Sequence, residues 1–129
     1  MYTKIIVAGR LGQNPELRFT ASGDAVCGFS VASGRKYKDR NGQEVDTTTW
    51  WKVSAWRKQA EIINEHFKKG DPILFDGELK PDPSTGGPRL FQRKDGSWGA
   101  SYDITLHTFS FLPKGGEKQA ETAVEDEAL

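Results

Sequence analysis

Residues 48–57, Thr-Thr-Trp-Trp-Lys-Val-Ser-Ala-Trp-Arg, hold the side chains whose types and spacing best suit a chemical task. Successive side chains of an extended strand point to opposite faces. Trp51, Val53 and Ala55 then share one face, apolar enough to be core. Trp50, Lys52, Ser54 and Trp56 share the other. That second face packs badly, because burial would leave the Lys52 ammonium without a partner. It suits a nucleic acid well. Each indole offers a flat surface to a base, and the cation between them can meet a phosphate. Taken alone, the strand also admits a plainer reading, with one tryptophan in the core and another in a subunit interface.

Two further segments mix cations with aromatics. Arg35, Lys36, Lys38 and Arg40 surround Tyr37, and Arg89, Phe91, Arg93 and Lys94 lead to Trp98. A basic hairpin tip is ordinarily only a solvated tip. Three interleaved segments in one short chain favour a shared binding surface. Catalytic constellations are sparse by comparison. A zinc site needs three or four ligands at suitable spacing, and Cys27, His66 and His107 are scattered without partners. His66 falls on the apolar side of a helix and reads as structural. Asp76 and Glu78 share a strand face and could hold Mg²⁺ for a nuclease, but a solvated strand face is the simpler account. No Ser/His/Asp set or phosphate-loop spacing occurs. Neither enzymatic activity nor a metal or cofactor is expected. Gly9-Arg-Leu-Gly12 fits the GxxG of a KH loop, but here it follows a strand rather than joining two helices.

The elements that would position these residues read as follows. Residues 4–11 alternate as a first strand, and Asn14-Pro15 and Ser22-Gly23-Asp24 mark turns. Residues 25–36 form a second strand, with Cys27, Phe29 and Val31 on one face and Gly28, Ser30 and Ala32 on the other. Residues 37–46 make a polar hairpin tip around Asn41-Gly42, and residues 47–57 a third strand. The period then changes: Ile62, Ile63, His66 and Phe67 predict a helix over 58–69, with Lys68 and Lys69 in its last turn and Gly70 as its stop. Residues 72–79 resume as a strand and residues 80–88 are loop. A hairpin through Asp95-Gly96 leads to a last strand at about 101–112. The fold class is therefore all-β: a five-stranded OB barrel with one helix between its third and fourth strands.

Composition agrees with a small binding domain. The 129 residues suffice for one domain with a modest core. No apolar run approaches the ~18 residues of a membrane helix, and no signal peptide precedes the first strand. The lone Cys27 fits a reducing compartment. A cytoplasmic, nucleoid-associated location is expected. The zero net charge hides an asymmetry, since residues 113–129 carry two lysines and five acids while residues 1–112 carry 16 cations and 13 acids. The division expected is an OB domain over 1–112 and a disordered acidic tail over 113–129.

With those residues in view, the chain resembles the bacterial-type single-stranded DNA-binding proteins over about residues 3–112. The resemblance is carried by Lys4-Ile-Ile-Val-Ala-Gly-Arg-Leu-Gly-Gln-Asn-Pro-Glu-Leu-Arg18, Thr49-Trp50-Trp51-Lys52-Val53, Lys58-Gln-Ala-Glu61, His66-Phe-Lys-Lys-Gly70 and Phe75-Asp-Gly-Glu-Leu79. It implies that Trp50 and Trp56 stack bases, and that Tyr37 stands at a stacking position in the first long hairpin. Phe91, with Trp98 as its competitor, is the match in the second. Lys52, Lys58, Lys69 and Arg89 match positions that meet phosphates, and Arg35, Lys36 and Arg93 join the basic surface. It further implies a homotetramer and sequence-tolerant binding of single strands in DNA replication, recombination and repair. Trp51 stands where the family usually has a histidine near a subunit contact. The short C-terminus keeps acidity, which implies replication or repair partners, but lacks the family's terminal Pro-Phe. The rival readings are an OB module for protein interaction and a single-stranded RNA binder.

Overall fold

The computed structural model describes residues 2–114. The strands β1 (Ile5–Leu11), β2 (Glu16–Phe19), β3 (Ala25–Lys38) and β4 (Glu44–Trp56) lead into the helix α1 (Lys58–His66). β5 (Pro72–Leu79), β6 (Arg89–Gln92) and β7 (Trp98–Phe111) follow. Alternation sets the inside: Val7 and Leu11, Cys27, Phe29 and Val31, Val53 and Ala55, Ile73 and Phe75, and Ile104 and Leu106 are all buried. Neighbouring strands run β1-β5-β7-β4-β3, and β3 returns to β1 through Arg10–Ala32 and Leu11–Val31. Five strands thus close into a barrel, with β4 and β7 parallel. The helix sits between the third and fourth barrel strands, which is the OB arrangement expected above. Among the described residues no helix is long and apolar enough to cross a membrane.

Closure needs local irregularities. The β5–β7 register shifts between Asp76 and Gly77, leaving His107 as an extra residue on β7. Its carbonyl accepts a 2.6 Å hydrogen bond from the Gln59 amide of α1. A Cβ on Gly77 would sit 2.5 Å from the Thr105 carbonyl oxygen, so only glycine lets the two strands approach there. β4 is followed by Arg57, a non-glycine residue at φ 60, held by its N–H to the Ala25 carbonyl at 2.7 Å. Such a conformation costs about 1–3 kcal/mol and turns the strand directly into the helix.

Several sequence expectations need correction. β2 was not foreseen; its four residues pair with Ala25 to Gly28 of β3. β3 runs to Lys38 and β4 starts at Glu44, so the first hairpin's tip is only residues 39–43. β7 begins at Trp98 rather than near 101. α1 ends at His66, not at residue 69. Buried Phe67 adopts extended backbone, and Lys68 and Lys69 direct their N–H groups to Asp71 and Asn14 instead of to helix carbonyls. Gly70, at φ 89, serves the turn into β5. His66 is exposed rather than part of the core face; its ring meets Phe111 edge-on at 6.0 Å. Of the residues read as a disordered tail, all beyond Lys114 lie outside the described residues.

Candidate nucleic-acid interface

Strand register decides which side chains share a surface. In the β3–β4 pairing Ala32 faces Trp50, Ser30 faces Lys52, Gly28 faces Ser54 and Val26 faces Trp56. All eight alternate away from the inward-pointing Phe29, Val31, Val53 and Ala55, and all but the buried Val26 lie at least partly open on the outside of the barrel. Trp50 is 54% exposed and Trp56 39%. Six residues apart on one strand, the two indoles stand about 20 Å from each other. That separation is too wide for one planar ring to touch both. The floor between them is small-residue ground, Gly28, Ser30 and Ser54, with the exposed Lys52 rising from it.

β7 extends this face. Its parallel register sets Asp103 beside Lys52, and antiparallel β6 then sets Arg89 opposite Ser101 and Phe91 opposite Gly99. Arg89, Phe91 and Arg93 therefore join Trp50, Lys52 and Trp56 on one side of the sheet. The guanidinium carbons of Arg89 and Arg93 lie 5.7 and 5.3 Å from the Phe91 ring centre, within cation–π range. A groove of about 390 Å³ runs here, lined by Trp50, Lys52, Ser54 and Phe91 and, from β2, Glu16 and Arg18.

Two of the aromatic platforms rest on glycines. A Cβ on Gly12 would sit 2.3 Å from the Trp50 ring, and one on Gly99 would sit 2.7 Å from the Phe91 ring. Any side chain at either place would displace the aromatic ring above it.

Electrostatics across the face are mixed. Arg89 Nε contacts Asp103 Oδ2 at 2.8 Å, and the Ser101 hydroxyl donates to Asp103 Oδ1 at 2.5 Å. Burial pushes the Asp103 carboxyl up, yet Ser101, Arg89 and Lys52 together hold it below the usual carboxylate range. Asp103 is thus an ionised anchor for Arg89. Among the described residues no group of three or more His, Cys, Asp or Glu could hold a metal ion. Cys27 is fully buried, and burial raises its thiol to about 11.

The twelve residues singled out in the sequence separate by place. Trp50, Lys52, Trp56, Lys36, Arg89, Phe91 and Arg93 share the face just described. Arg35 and Tyr37 alternate onto the opposite side of the β3–β4 arm, where the Arg35 guanidinium lies 5.9 Å from the Tyr37 ring centre. Trp98, 65% exposed, pairs with Gln92 and points away from Phe91. Between those two competitors the geometry joins Phe91, not Trp98, to the Trp50 groove. Lys58 opens α1, two residues after Trp56, and Lys69 is tied through its N–H to Asn14 at 2.8 Å, two residues past the Gly12 that carries Trp50. Trp51, half-buried, packs at a tilt of 37° on Tyr102 with ring centres 5.2 Å apart and donates its indole N–H to Ser33 at 2.9 Å. Arg18 and Lys80, which also border this surface, were not picked out.

Comparison with known proteins fits this geometry. A single-stranded DNA-binding protein of Neisseria meningitidis is 39% identical over 116 residues, 90% of this chain and 62% of that protein's length. The crystal structure of the small single-stranded DNA-binding protein from Streptomyces coelicolor superposes with TM-score 0.69 at 26% identity, covering 88% of this chain and 97% of that one. The Plasmodium falciparum SSB complex with ssDNA has TM-score 0.70 at 23% identity over 88% of this chain and 97% of that one, a likeness of fold. The model of the single-strand binding protein family matches residues 2–112, and the chain belongs to that family.

Proposed function

We propose that this chain binds single-stranded DNA without reading its sequence, through the outer face of β4, β6 and β7. The observation that carries the reading is the alternation of exposed Trp50, Lys52 and Trp56 over a floor of small residues. Stacking accepts any base because every base has a π-face, and cations meet phosphates that carry no sequence information. Protein interfaces favour tryptophan but are depleted in lysine, whereas here Lys52 stands between the two indoles. Binding only the unpaired form removes hairpins by mass action, which suits a protector of strands exposed in replication, recombination and repair. No catalytic step belongs to this reading, and the place of action is the cytoplasm, on the nucleoid. Trp50, Trp56 and Phe91 carry bases. Lys52, Lys58, Lys69, Arg89, Arg93 and Lys36 meet phosphates, with Arg35, Tyr37 and Trp98 reached only by a strand that passes round the hairpin arms.

The chain assembles as a homotetramer in this reading. Exposed apolar side chains such as Ile6 and Phe111 are available to bury. Light scattering at micromolar concentration should give four chains per particle, and a stable monomer would remove the tetramer. The acidic tail, residues 113–129, competes weakly with DNA for the basic face and recruits replication or repair proteins. Partner capture by the whole chain but not by a 1–112 form is the expected result. The binding claim itself is tested by titrating tryptophan fluorescence with poly(dT), duplex DNA and poly(U). Strong quenching by poly(dT) and little by duplex is expected. Stronger binding of poly(U) would make it an RNA binder, and no response to any polymer would leave a protein-interaction module.

A further inference from the structure

The turn from β4 into α1 passes through Arg57, whose backbone stands at φ 60 and ψ −126. Among the described residues it is the only non-glycine at positive φ. That region is open to glycine and strained for a residue with a Cβ. Two rules of helix construction also disfavour arginine here. Arg57 is the N-cap of α1: its carbonyl accepts the Glu61 N–H at 3.3 Å, but its side chain caps nothing. Ser, Thr, Asp, Asn or Gly serve better at an N-cap. Arg57 and Lys58 also bring two cations to the helix N-terminus, the positive end of its dipole, where positive charge is unfavourable.

The fold receives little in return from the side chain. Its one charged partner among the described residues is Asp24, with Arg57 Nε 3.8 Å from Asp24 Oδ1. The Arg57 side chain is 78% exposed and that of Asp24 44%, and an ion pair so open and so long is worth little. The Asp24 carboxylate also accepts the Ser22 hydroxyl on Oδ2 at 3.4 Å. What Arg57 does have is its position. It follows Trp56, the last aromatic platform of β4, and the Asp24 contact holds its guanidinium by the turn between β2 and β3. The pairings Arg18–Val26 and Val26–Trp56 put Arg18 on the same outer face as Trp56, two strands across, about 10 Å along the sheet. Among the described residues neither Arg18 nor Lys58 has a carboxylate within ion-pair distance.

We propose that Arg57 is a phosphate-binding residue of the single-strand interface, and that it carries the cationic path from Trp56 across to Arg18 on β2. The inference rests on the single-strand reading above and adds Arg57 to that surface. Folding alone favours glycine at this place on all three counts. A phosphate beside Trp56 favours the guanidinium, whose fork meets two oxygens at once. The long contact to Asp24 leaves that fork free to exchange a carboxylate for a phosphate. The strained turn is what makes the cation available. Along an unbroken strand, residue 57 would continue the inward series Val53, Ala55, where an arginine would be buried without a partner. Positive φ lifts it out of that series and into solvent at the end of the Trp56 face.

The test follows oligo(dT) affinity against salt, together with denaturant unfolding, in the whole chain as wild type, Arg57→Gly and Arg57→Lys. Arg57→Gly should unfold at a higher denaturant midpoint, because the strain is gone, and yet bind more weakly. Its plot of log K against log salt should be shallower by about 0.7, the loss of one phosphate contact. Between ~50 and ~200 mM salt its affinity then falls roughly 2- to 3-fold less than that of wild type. Arg57→Lys keeps the charge and should keep the wild-type slope. A wild-type slope in Arg57→Gly overturns the proposal. An equal loss of slope in Arg57→Lys does so too, since it traces the effect to the turn and not to the charge. A midpoint below wild type in Arg57→Gly denies the strain and likewise overturns it. In each case the binding of wild type to oligo(dT) still stands. If wild type itself binds no oligo(dT), the single-strand reading fails first and takes this role of Arg57 with it.

Discussion

The two faces of β4 are one stretch of backbone with opposite duties. Val53 and Ala55 are wholly buried, and Trp51 is held by a ring contact to Tyr102 and a hydrogen bond to Ser33. One residue away, Trp50 lies exposed over Gly12, and Lys52 and Trp56 stand in solvent. Adjacent tryptophans thus differ in what they are worth to the molecule. The inner face contributes most to the free energy of folding, and the outer face leaves a large part of its aromatic area in water. Exposed indoles on a rigid barrel are pre-organised, so little ordering remains to oppose binding.

Substitutions on the inner face should act on stability. Phe29→Ala removes a fully buried ring at the centre of the barrel and should cost about 3–5 kcal/mol in denaturant unfolding. A loss under 1 kcal/mol would mean that the barrel interior is not the core. Trp51→Ala should cost somewhat less, about 2–4 kcal/mol, because its ring is only partly covered. Unaltered unfolding in that variant, together with weakened DNA binding, would move Trp51 to the binding side and erase the division between the faces.

Smaller changes should act on binding. Gly12→Ala and Gly99→Ala each place a methyl group where an aromatic platform now lies. Each should lower affinity for poly(dT) roughly tenfold, about 1.4 kcal/mol, read by fluorescence titration. If affinity holds while the rings shift, Trp50 and Phe91 do not carry bases.

The smallest effect belongs to the barrel's far side. Lys4 and Asp76 pair at 3.0 Å. Lys4, and then Thr108, holds the Asp76 carboxyl below its usual value, while the hydrogen bond to Asp76 raises Lys4. A depressed carboxyl pKa gives stability that is present above the unfolded value, about 3.9, and is lost as pH falls through the folded one. Asp76→Asn should therefore flatten the acid limb of stability against pH and leave neutral DNA affinity alone. The pair lies at the surface, with Lys4 open to solvent and Asp76 partly covered, which makes this a slight effect. An acid limb identical to wild type would show that the pair is not formed in solution.

The barrel strands were legible because period-two alternation is strong where one face is buried. That rule places Val53 and Ala55 inside and Trp50 and Trp56 outside. It did not reveal β2, whose four residues are too few for alternation to stand out beside the Asn14-Pro15 turn. The helix end was misread because Phe67 continues the apolar spacing but is buried from extended backbone, and side chains from outside the helix take the next N–H groups. Within the site, Phe91 and Trp98 could not be separated by composition. Only the register of β6 on β7 shows them on opposite faces, and register across a hairpin depends on where the turn falls.

The central claim is that the outer face of β4 binds single strands while its inner face holds the barrel together. Measuring poly(dT) affinity and unfolding together in Trp50→Ala and Trp56→Ala tests it most directly. Each variant should lose about 1–3 kcal/mol of binding while unfolding at nearly the wild-type denaturant midpoint. Wild-type affinity combined with a lost fold in either variant would contradict the account.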